Sequence, residues 1–420
     1  MSNDLLSVEE ALDRILPDFA PLPAEQIALE SALDRILATD IIAEVSLPPF
    51  ANSSMDGFAV RSGDIADAAA DRPVQLMLVE DIPAGKVPQR HVEQGQAARI
   101  MTGAQMPDGA DTVVPVEATD QQFRGGDAGA LPEMVTVFKS SRAGDYVRPV
   151  GEDIRAGEVA LRAGTQISPA AIGMLAALGY PFVPVTGKPR VAILSTGDEL
   201  IEPDEPFTPG KIRNSNSYTI AALVQAYGGI AMRFPTARDT LDDVRRIFSD
   251  AVAARPHLIL SSAGVSVGAF DLVRTVMDEL GSIGFWRVNV RPGKPLAYGR
   301  LGGIPFFGLP GNPVSAMVTF DLFVRPVLMR LANKPDAYPT ITVTNGETFR
   351  SDGRRSYIRV TLKRNGDVIV AYPTGTQSSG ALMSMVLADG LMIVPEGMKE
   401  VPEGTELSVR VLRNIDSRSA

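Results

Sequence analysis

The chain has no cysteine, and only two histidines, His91 and His257, in 420 residues. The first absence excludes disulfides, thiolate nucleophiles and thiolate zinc sites together. The second excludes a histidine-rich metal centre. No run of about 18 apolar residues occurs, so no membrane-spanning helix is expected. The amino terminus, Met1-Ser2-Asn3-Asp4, lacks the basic and apolar blocks of a signal peptide, and a soluble cytoplasmic protein is the expectation. An excess of positive charge is missing too: 50 Asp and Glu against 40 Lys and Arg give a formal net charge of -10. Such a surface repels nucleic acid and anionic membranes. An anionic ligand would need a local basic cluster.

Hydrophobic residues are 45% and charged residues 21% of the chain, an ordinary globular balance. The length accommodates roughly three domains of ~150 residues. Residues 5 to 40 read as two helices. Ser7 with Glu10 forms a capping box before Val8, Ala11, Leu12, Ile15 and Leu16, and these fall on one helical face. The string ALDRIL at 11–16 returns at 32–37, which two similar amphipathic helices explain without a repeat fold. From 46 to 151 short β-like runs separated by Gly, Pro and Asp form a β-rich module, with strands expected at 74–79, 97–101, 112–116 and 135–138. Ser168-Pro169 then opens a helix that Gly179 ends. The module is therefore expected as an insertion in a helical first domain of residues 1–45 and 152–186.

Residues 187 to 333 alternate strands with helices of ten or more residues, the pattern of a mostly parallel sheet with crossover helices. Strands are expected at 190–195, 257–261 and 305–309, and helices at 217–227, 240–254, 271–280 and 313–331. Residues 334–420 return to strands, at 341–344, 357–363, 368–372, 391–394 and 406–412. Asn365-Gly366 is a hairpin signal there, and a small C-terminal β-barrel is expected.

Ligands of open α/β sheets bind at the carboxyl ends of the strands. Three loops fall at such ends: Thr196-Gly197-Asp198, the stretch from Ser262 to Gly268, and Pro310-Gly311-Asn312. Small residues let backbone N–H groups approach phosphate oxygens. Asn312 is expected to cap, and Pro313 to open, a helix whose N-terminus favours anions. Together the loops read as one crevice holding a phosphate-bearing small molecule. Arg291 with Lys294, and Lys211 with Arg213, are the basic candidates. Asp198, Glu199, Asp239 and Asp271 stand at element ends and suit Mg²⁺, which takes one or two carboxylates plus substrate phosphate. Asp239 serves equally well as a capping residue before Thr240. Asp56-Gly57 is either a turn or part of a site.

In combination these segments identify a family. PFANSSMDGFAV at 49–60, MTGA at 101–104, GEDI at 151–154, STGDEL at 195–200, GVSVG at 264–268 followed by Asp271, RPGKP at 291–295 and GLPGNPVS at 308–315 resemble molybdopterin molybdenumtransferases of the MoeA and gephyrin type. The resemblance runs in order along nearly the whole chain. It implies insertion of molybdate into adenylylated molybdopterin, with release of AMP and assistance from Mg²⁺. It also implies a four-domain fold and a homodimer. The α/β domain of one subunit and the β module of the other would share an active site. Carried over residue by residue, Asp56, Thr102, Glu199, Asp239 and Asp271 are its catalytic positions, the last three also its metal ligands. Arg291, Lys294, Pro295, Ser315, Arg359, Ser378 and Ser379 bind molybdate. Thr196, Gly197, Asp198, Ser262, Gly264, Ser266, Gly268, Pro310, Gly311, Asn312, Arg148 and Asp153 bind the molybdopterin or its nucleotide. Partners would be small-molecule substrates, the second subunit, the molybdopterin adenylyltransferase and cofactor-accepting enzymes, with neither nucleic acid nor membrane. Two departures stand out: Ala263 where the family has glycine, and Ala269 where an acid is common. Two other functions fit the same scaffold, adenylylation of molybdopterin and a non-catalytic gephyrin-like scaffold.

Overall fold

The structure is a computed structural model that describes residues 5–122, 130–262 and 270–413. It divides into two compact units, one of residues 1–25 with 186–420 and the other of residues 26–185.

In the first unit a six-stranded sheet runs in the order Ile230–Arg233, Arg190–Ser195, Leu258–Ser262, Ile304–Leu309, Pro295–Leu301, Gly281–Arg287. The first three pairings are parallel and the last two antiparallel. Alternate residues of each strand face opposite layers, as the pleat requires. Val191, Ile193, Leu258, Leu260 and Phe307 enter one core with Ile220 and Val224 of the helix Ser215–Ala226. Ala192, Leu194, Ile259 and Phe306 enter the other with Val244, Ile247 and Phe248 of the helix Leu241–Ala253. Each such fully buried aliphatic or aromatic side chain contributes ~1.5–3 kcal/mol. Thr240 caps the second of these helices through its hydroxyl. The helix opened by Pro313 is not continuous: Pro313–Thr319 and Arg325–Leu331 flank a π-helical turn, Phe320–Val324. That turn carries a buried acid, Asp321, paired with Arg410 at 2.7 Å.

The C-terminal strands close into a barrel. Thr340–Asn345, Arg355–Asn365, Val368–Pro373, Gly390–Val394 and Glu406–Val411 each find two neighbours, and Arg355–Asn365 closes the ring against Gly390–Val394. The hairpin turn sits one residue later than the Asn-Gly signal implied. Asn365 pairs with Val368, so Gly366, with φ 61°, and Asp367 form the loop.

The amino-terminal helix is present as Val8–Ile15 with its Ser7–Glu10 capping box. Its apolar face, Val8, Ala11 and Ile15, joins the α/β core, not a helical first domain.

The second unit corrects the expectation of a helical domain more fully. No helix forms at the second ALDRIL string. Asp34 takes a left-handed φ of 62°, and the flanking amides are drawn into non-local bonds, Asp34 to Ile167 O and Leu37 to Thr165 O. Ala32 and Leu37 are buried nonetheless, against Ile167, Leu175 and Val185. Tertiary pairing thus uses the apolar spacing that local periodicity assigns to a helix. The one α-helix among the described residues of this unit is Pro169–Ala177, capped by Ser168. The rest is β: a five-stranded sheet in the order Thr112–Pro115, Gly57–Val60, Gln96–Ile100, Val74–Ile82, Met134–Val137. The strand Gly57–Val60 lies inside the Asp56 motif and was not expected.

Candidate functional site: an arginine-lined cavity and a loop crevice

The parallel strands Arg190–Ser195, Leu258–Ser262 and Ile304–Leu309 are neighbours, so the loops that follow them open on one edge of the sheet. The Ser195 and Ser262 hydroxyls lie 3.2 Å apart there. Thr196 is buried, and its hydroxyl has no partner. Ser262 is described; Gly264, Ser266, Gly268 and the two departures, Ala263 and Ala269, lie outside the described residues. Asp271 belongs to the helix Phe270–Leu280, but its side chain lies outside the described part.

Asp239 is not a cap, since Thr240 performs that task. Its carboxylate accepts the Asp198 amide at 3.2 Å, and the Asp198 carboxylate accepts the Asp239 amide at 3.2 Å. This reciprocal clasp joins the two turns and leaves one oxygen of each acid for a ligand. Glu199 folds its carboxylate against Gly197. Among the described residues no three acids or histidines gather as a metal cluster. The expected trio of Glu199, Asp239 and Asp271 includes a side chain, that of Asp271, outside the described part. Lys211 donates to the Asp198 carbonyl, and Arg213 to the carbonyls of Glu202 and Glu205. Both serve the loop rather than joining Arg291 and Lys294. A 920 Å³ hollow beside this loop is lined by Gly197, Asp198, Lys211 and Arg233.

Pro310, Gly311 and Asn312 follow the central strand. Asn312 occupies the cap position without a side-chain capping bond. Its Nδ2 donates to the Ser379 hydroxyl at 3.0 Å instead. The sequence reading missed this because the acceptor comes from a segment 67 residues away.

That contact leads into a cavity of 590 Å³ lined by Arg291, Lys294, Pro295, Ser315, Arg359, Ser378 and Ser379, all seven expected molybdate positions. The backbone of Gly293 makes the loop tight: φ is +109°, and a Cβ would lie 2.5 Å from the Thr319 hydroxyl. Arg359 lies on the barrel strand Arg355–Asn365 and is 1% exposed. Its guanidinium donates to the Ser384 hydroxyl and the Ser378 carbonyl, both at 3.1 Å, and among the described residues to no carboxylate. Burial, and secondarily the nearby Arg291, push its pKa down to about 10, still far above neutrality. A buried, charged guanidinium without a counter-ion is costly to leave unpaired, and an incoming anion relieves that cost.

Sequence reading also missed two cavity residues and an acid that pairs with the cavity's arginines. Gln377 brackets Arg359, its Oε1 accepting the Arg359 amide and its Nε2 donating to the Arg359 carbonyl. Arg354 lines the cavity. Asp352 stands 3.5 Å from Arg291 and binds Arg354 as well; these arginines hold its carboxyl below the usual range, against the effect of burial. Proximity of Gln377 to Ser378-Ser379 was the available signal.

In the second unit, the Asp56 carboxylate accepts from both the amide and the hydroxyl of Thr102, at 2.7 and 2.8 Å. The following Gly57 is dictated by the neighbouring strand, since a Cβ would stand 2.1 Å from the Val114 carbonyl oxygen. Asp56 and Thr102 are thus one element. Arg148 pairs in register with Asn52; Arg148 and Asp153 are both exposed.

The architecture is that of a multidomain protein whose α/β sheet edge and β-barrel together build a cavity lined by Arg291, Lys294, Arg354 and Arg359. Three family models match it in order: the MoeA N-terminal region (domain I and II) over 6–179, a probable molybdopterin binding domain over 192–330, and the MoeA C-terminal region (domain IV) over 342–412. Molybdopterin molybdenumtransferase 2 of Mycobacterium tuberculosis is 38% identical over 394 residues, 91% of this chain and 94% of that protein. The molybdopterin molybdenumtransferase of Bacillus subtilis is 33% identical over 411 residues, 97% of this chain and 94% of that protein. A solved structure, the molybdopterin biosynthesis MoeA protein of Pyrococcus horikosii, superposes with a TM-score of 0.82 at 30% identity, covering 98% of this chain and 100% of that one. The chain belongs to the MoeA family, the molybdopterin molybdenumtransferases, and is an enzyme of molybdenum cofactor biosynthesis.

Proposed function

We propose that this enzyme inserts molybdate into adenylylated molybdopterin and releases AMP. The observation that carries the reading is Arg359, a buried cation without a carboxylate, facing the same cavity as Arg291 and Lys294. Three cations and the hydroxyls of Ser315, Ser378 and Ser379 match a tetrahedral dianion, which accepts hydrogen bonds on every oxygen. Molybdate is that dianion, and it is a substrate here.

The loops at Thr196–Asp198, Ser262 and Pro310–Asn312 hold the molybdopterin and its pyrophosphate, with their backbone N–H groups toward phosphate oxygens. Asp56 and Thr102, with Arg148 and Asp153, serve the same reaction from the β module of a second copy. The protein's task is to keep two anions together against their repulsion. An oxygen of molybdate, or a water it activates, attacks the adenylyl phosphorus. The bond from that phosphorus to the molybdopterin phosphate oxygen breaks, and AMP departs with the attacking oxygen. The two dithiolene sulfurs replace two oxo groups. One of these leaves on AMP, or as water if water attacks, and the other leaves as water carrying the thiol protons, with molybdenum unchanged in oxidation state. No protein nucleophile is required, consistent with the lack of cysteine.

For a divalent cation, the free oxygens of Asp198 and Asp239 fit a site of two carboxylates completed by substrate phosphate. Bound Mg²⁺ there would polarise the pyrophosphate. Glu199, in the first of these loops, and Asp271, in the helix Phe270–Leu280, are the further acids of the reading.

The test is AMP release from adenylylated molybdopterin on adding molybdate, with tungstate in parallel. Wild-type protein releases AMP only with the oxyanion, and Lys294→Ala raises the molybdate concentration needed. No oxyanion-dependent AMP would leave a scaffold role. Formation of adenylylated molybdopterin from ATP and metal-free molybdopterin would instead mark an adenylyltransferase.

A further inference from the structure

The cations that line the 590 Å³ cavity are Arg291, Lys294, Arg350, Arg354 and Arg359. Two of them share one carboxylate. Asp352 Oδ2 lies 3.5 Å from Arg291 and accepts from the Arg354 Nε at 3.0 Å, while its Oδ1 accepts the Arg354 amide at 3.1 Å. Ser351 and Arg354, before and after Asp352 and Gly353, both line the cavity, so this turn is part of its wall. The cavity's other acid, Glu347, has no ion pair among the described residues.

Local structure fixes where the Asp352 charge stands. Gly353 takes a left-handed φ of 87°, and its amide donates to the Ser351 hydroxyl at 3.4 Å. Arg354 reaches across to donate to the Val290 carbonyl at 3.2 Å, and Arg291 pairs in parallel register with Ser356. The Asp352 turn and the strand Val290–Arg291 are therefore fastened side by side. Partly exposed ion pairs are usually weak because two mobile side chains must be ordered. Here the short carboxylate is already held by Arg354.

A cavity suited to a dianion carries a penalty while empty, because its guanidiniums repel one another. Arg291 lies near enough to Arg359 to depress the Arg359 pKa, second only to burial. Asp352 offsets this repulsion by neutralising Arg291. The same carboxylate opposes an arriving oxyanion, since Arg291 cannot give its full attraction to both. We propose that Asp352 is a built-in competitor of the oxyanion for Arg291, which sets the affinity for molybdate below what the cavity's cations alone would give. This inference rests on the molybdate reading above.

The experiment follows AMP release from adenylylated molybdopterin by the full-length protein over a range of molybdate concentrations. Asp352→Asn and Asp352→Ser remove the charge, and each lowers the half-saturating molybdate concentration about 3-fold, the scale of one partly exposed ion pair. A carboxylate that served only to brace the turn would give the opposite sign, because its loss would loosen the cavity wall. In an Arg291→Gln background the two neutral variants bring no gain, since the contested cation is gone. An unchanged or raised half-saturating concentration in both neutral variants overturns the competitor role, and so does a gain that survives Arg291→Gln. Wild-type protein that releases no AMP with any oxyanion overturns the molybdate reading itself, and this inference with it.

Discussion

At the scale of single residues, charge without a partner is the most informative feature. Lys294 reaches the cavity through a stiff Pro-Gly-Lys-Pro turn and makes no ion pair among the described residues. Removing one such preorganised charge lowers turnover at an anionic centre by ~100-fold, the scale of losing one oxyanion donor. Lys294→Ala is therefore expected to lose molybdate-dependent AMP release to about that degree at fixed molybdate, while unfolding at the wild-type temperature. Gly293 predicts the reverse pattern. An added methyl meets the Thr319 hydroxyl at 2.5 Å in a backbone conformation of φ +109°, so Gly293→Ala should cost about 1–3 kcal/mol of stability. Denaturant titration measures it; an unchanged midpoint means the loop yields without cost. Lys294 was legible in the sequence because prolines flank it. The relation of Gly293 to Thr319 was not, because 26 positions separate them in the sequence.

At the scale of elements, two contacts hold strands and helices in register. His257, just before the strand Leu258–Ser262, accepts the Arg190 amide on Nδ1 at 2.9 Å. Acceptance requires the neutral ring. Burial, and then Arg190, lower its pKa below the ordinary 6.5. A depressed folded-state value means the unfolded chain binds the proton more readily. The contribution is therefore complete above about pH 6.5 and is lost as pH falls through the folded value. His257→Asn, which retains an acceptor without a titration, should flatten the fall in unfolding free energy between pH 7 and pH 5. The second contact is the Asp321–Arg410 pair, which ties the π-helical turn Phe320–Val324 to the last barrel strand. Arg325 packs near it, 4.4 Å from the Tyr338 ring centre. Leaving a buried charge unpaired costs about 3–5 kcal/mol, so Asp321→Ala should lower the unfolding midpoint strongly. An unshifted unfolding transition would show that the pair is dispensable. Neither contact was legible: an apolar helical stretch conceals one acid, and the arginine lies 89 residues on.

At the scale of the whole molecule, the Arg359 cavity and the Asp56–Thr102 pair belong to different compact units. Under the proposed arrangement, a site takes one set from each of two copies. Asp56→Asn and Lys294→Ala variants, each with little activity alone, should then recover part of it when unfolded and refolded together. No recovery in the mixture would refute sharing between copies. A dimer of this kind needs a substantial interface, typically above about 1,000 Å², which sedimentation at micromolar concentration checks directly.

What the sequence determined by itself is the set of local and chemical constraints. The absence of cysteine, the capping box at Ser7, the parallel strands of the α/β domain and the small-residue loops at their ends follow from composition, spacing and backbone geometry, all short-range properties. The segments from 49 to 315 also carried the family. Tertiary structure alone decided where equal local signals diverge. The first ALDRIL string is largely helical, while the second is a turn followed by bridge residues, because Ile167, Thr165 and Val185 capture its backbone. It also decided that Asn312 reaches Ser379, that Asp239 clasps Asp198, and that Arg359 is buried with no counter-ion among the described residues. These outcomes depend on which distant segments meet and on which charges lose their water. No local pattern encodes that, since the energy of a buried polar group is set by its neighbours in space.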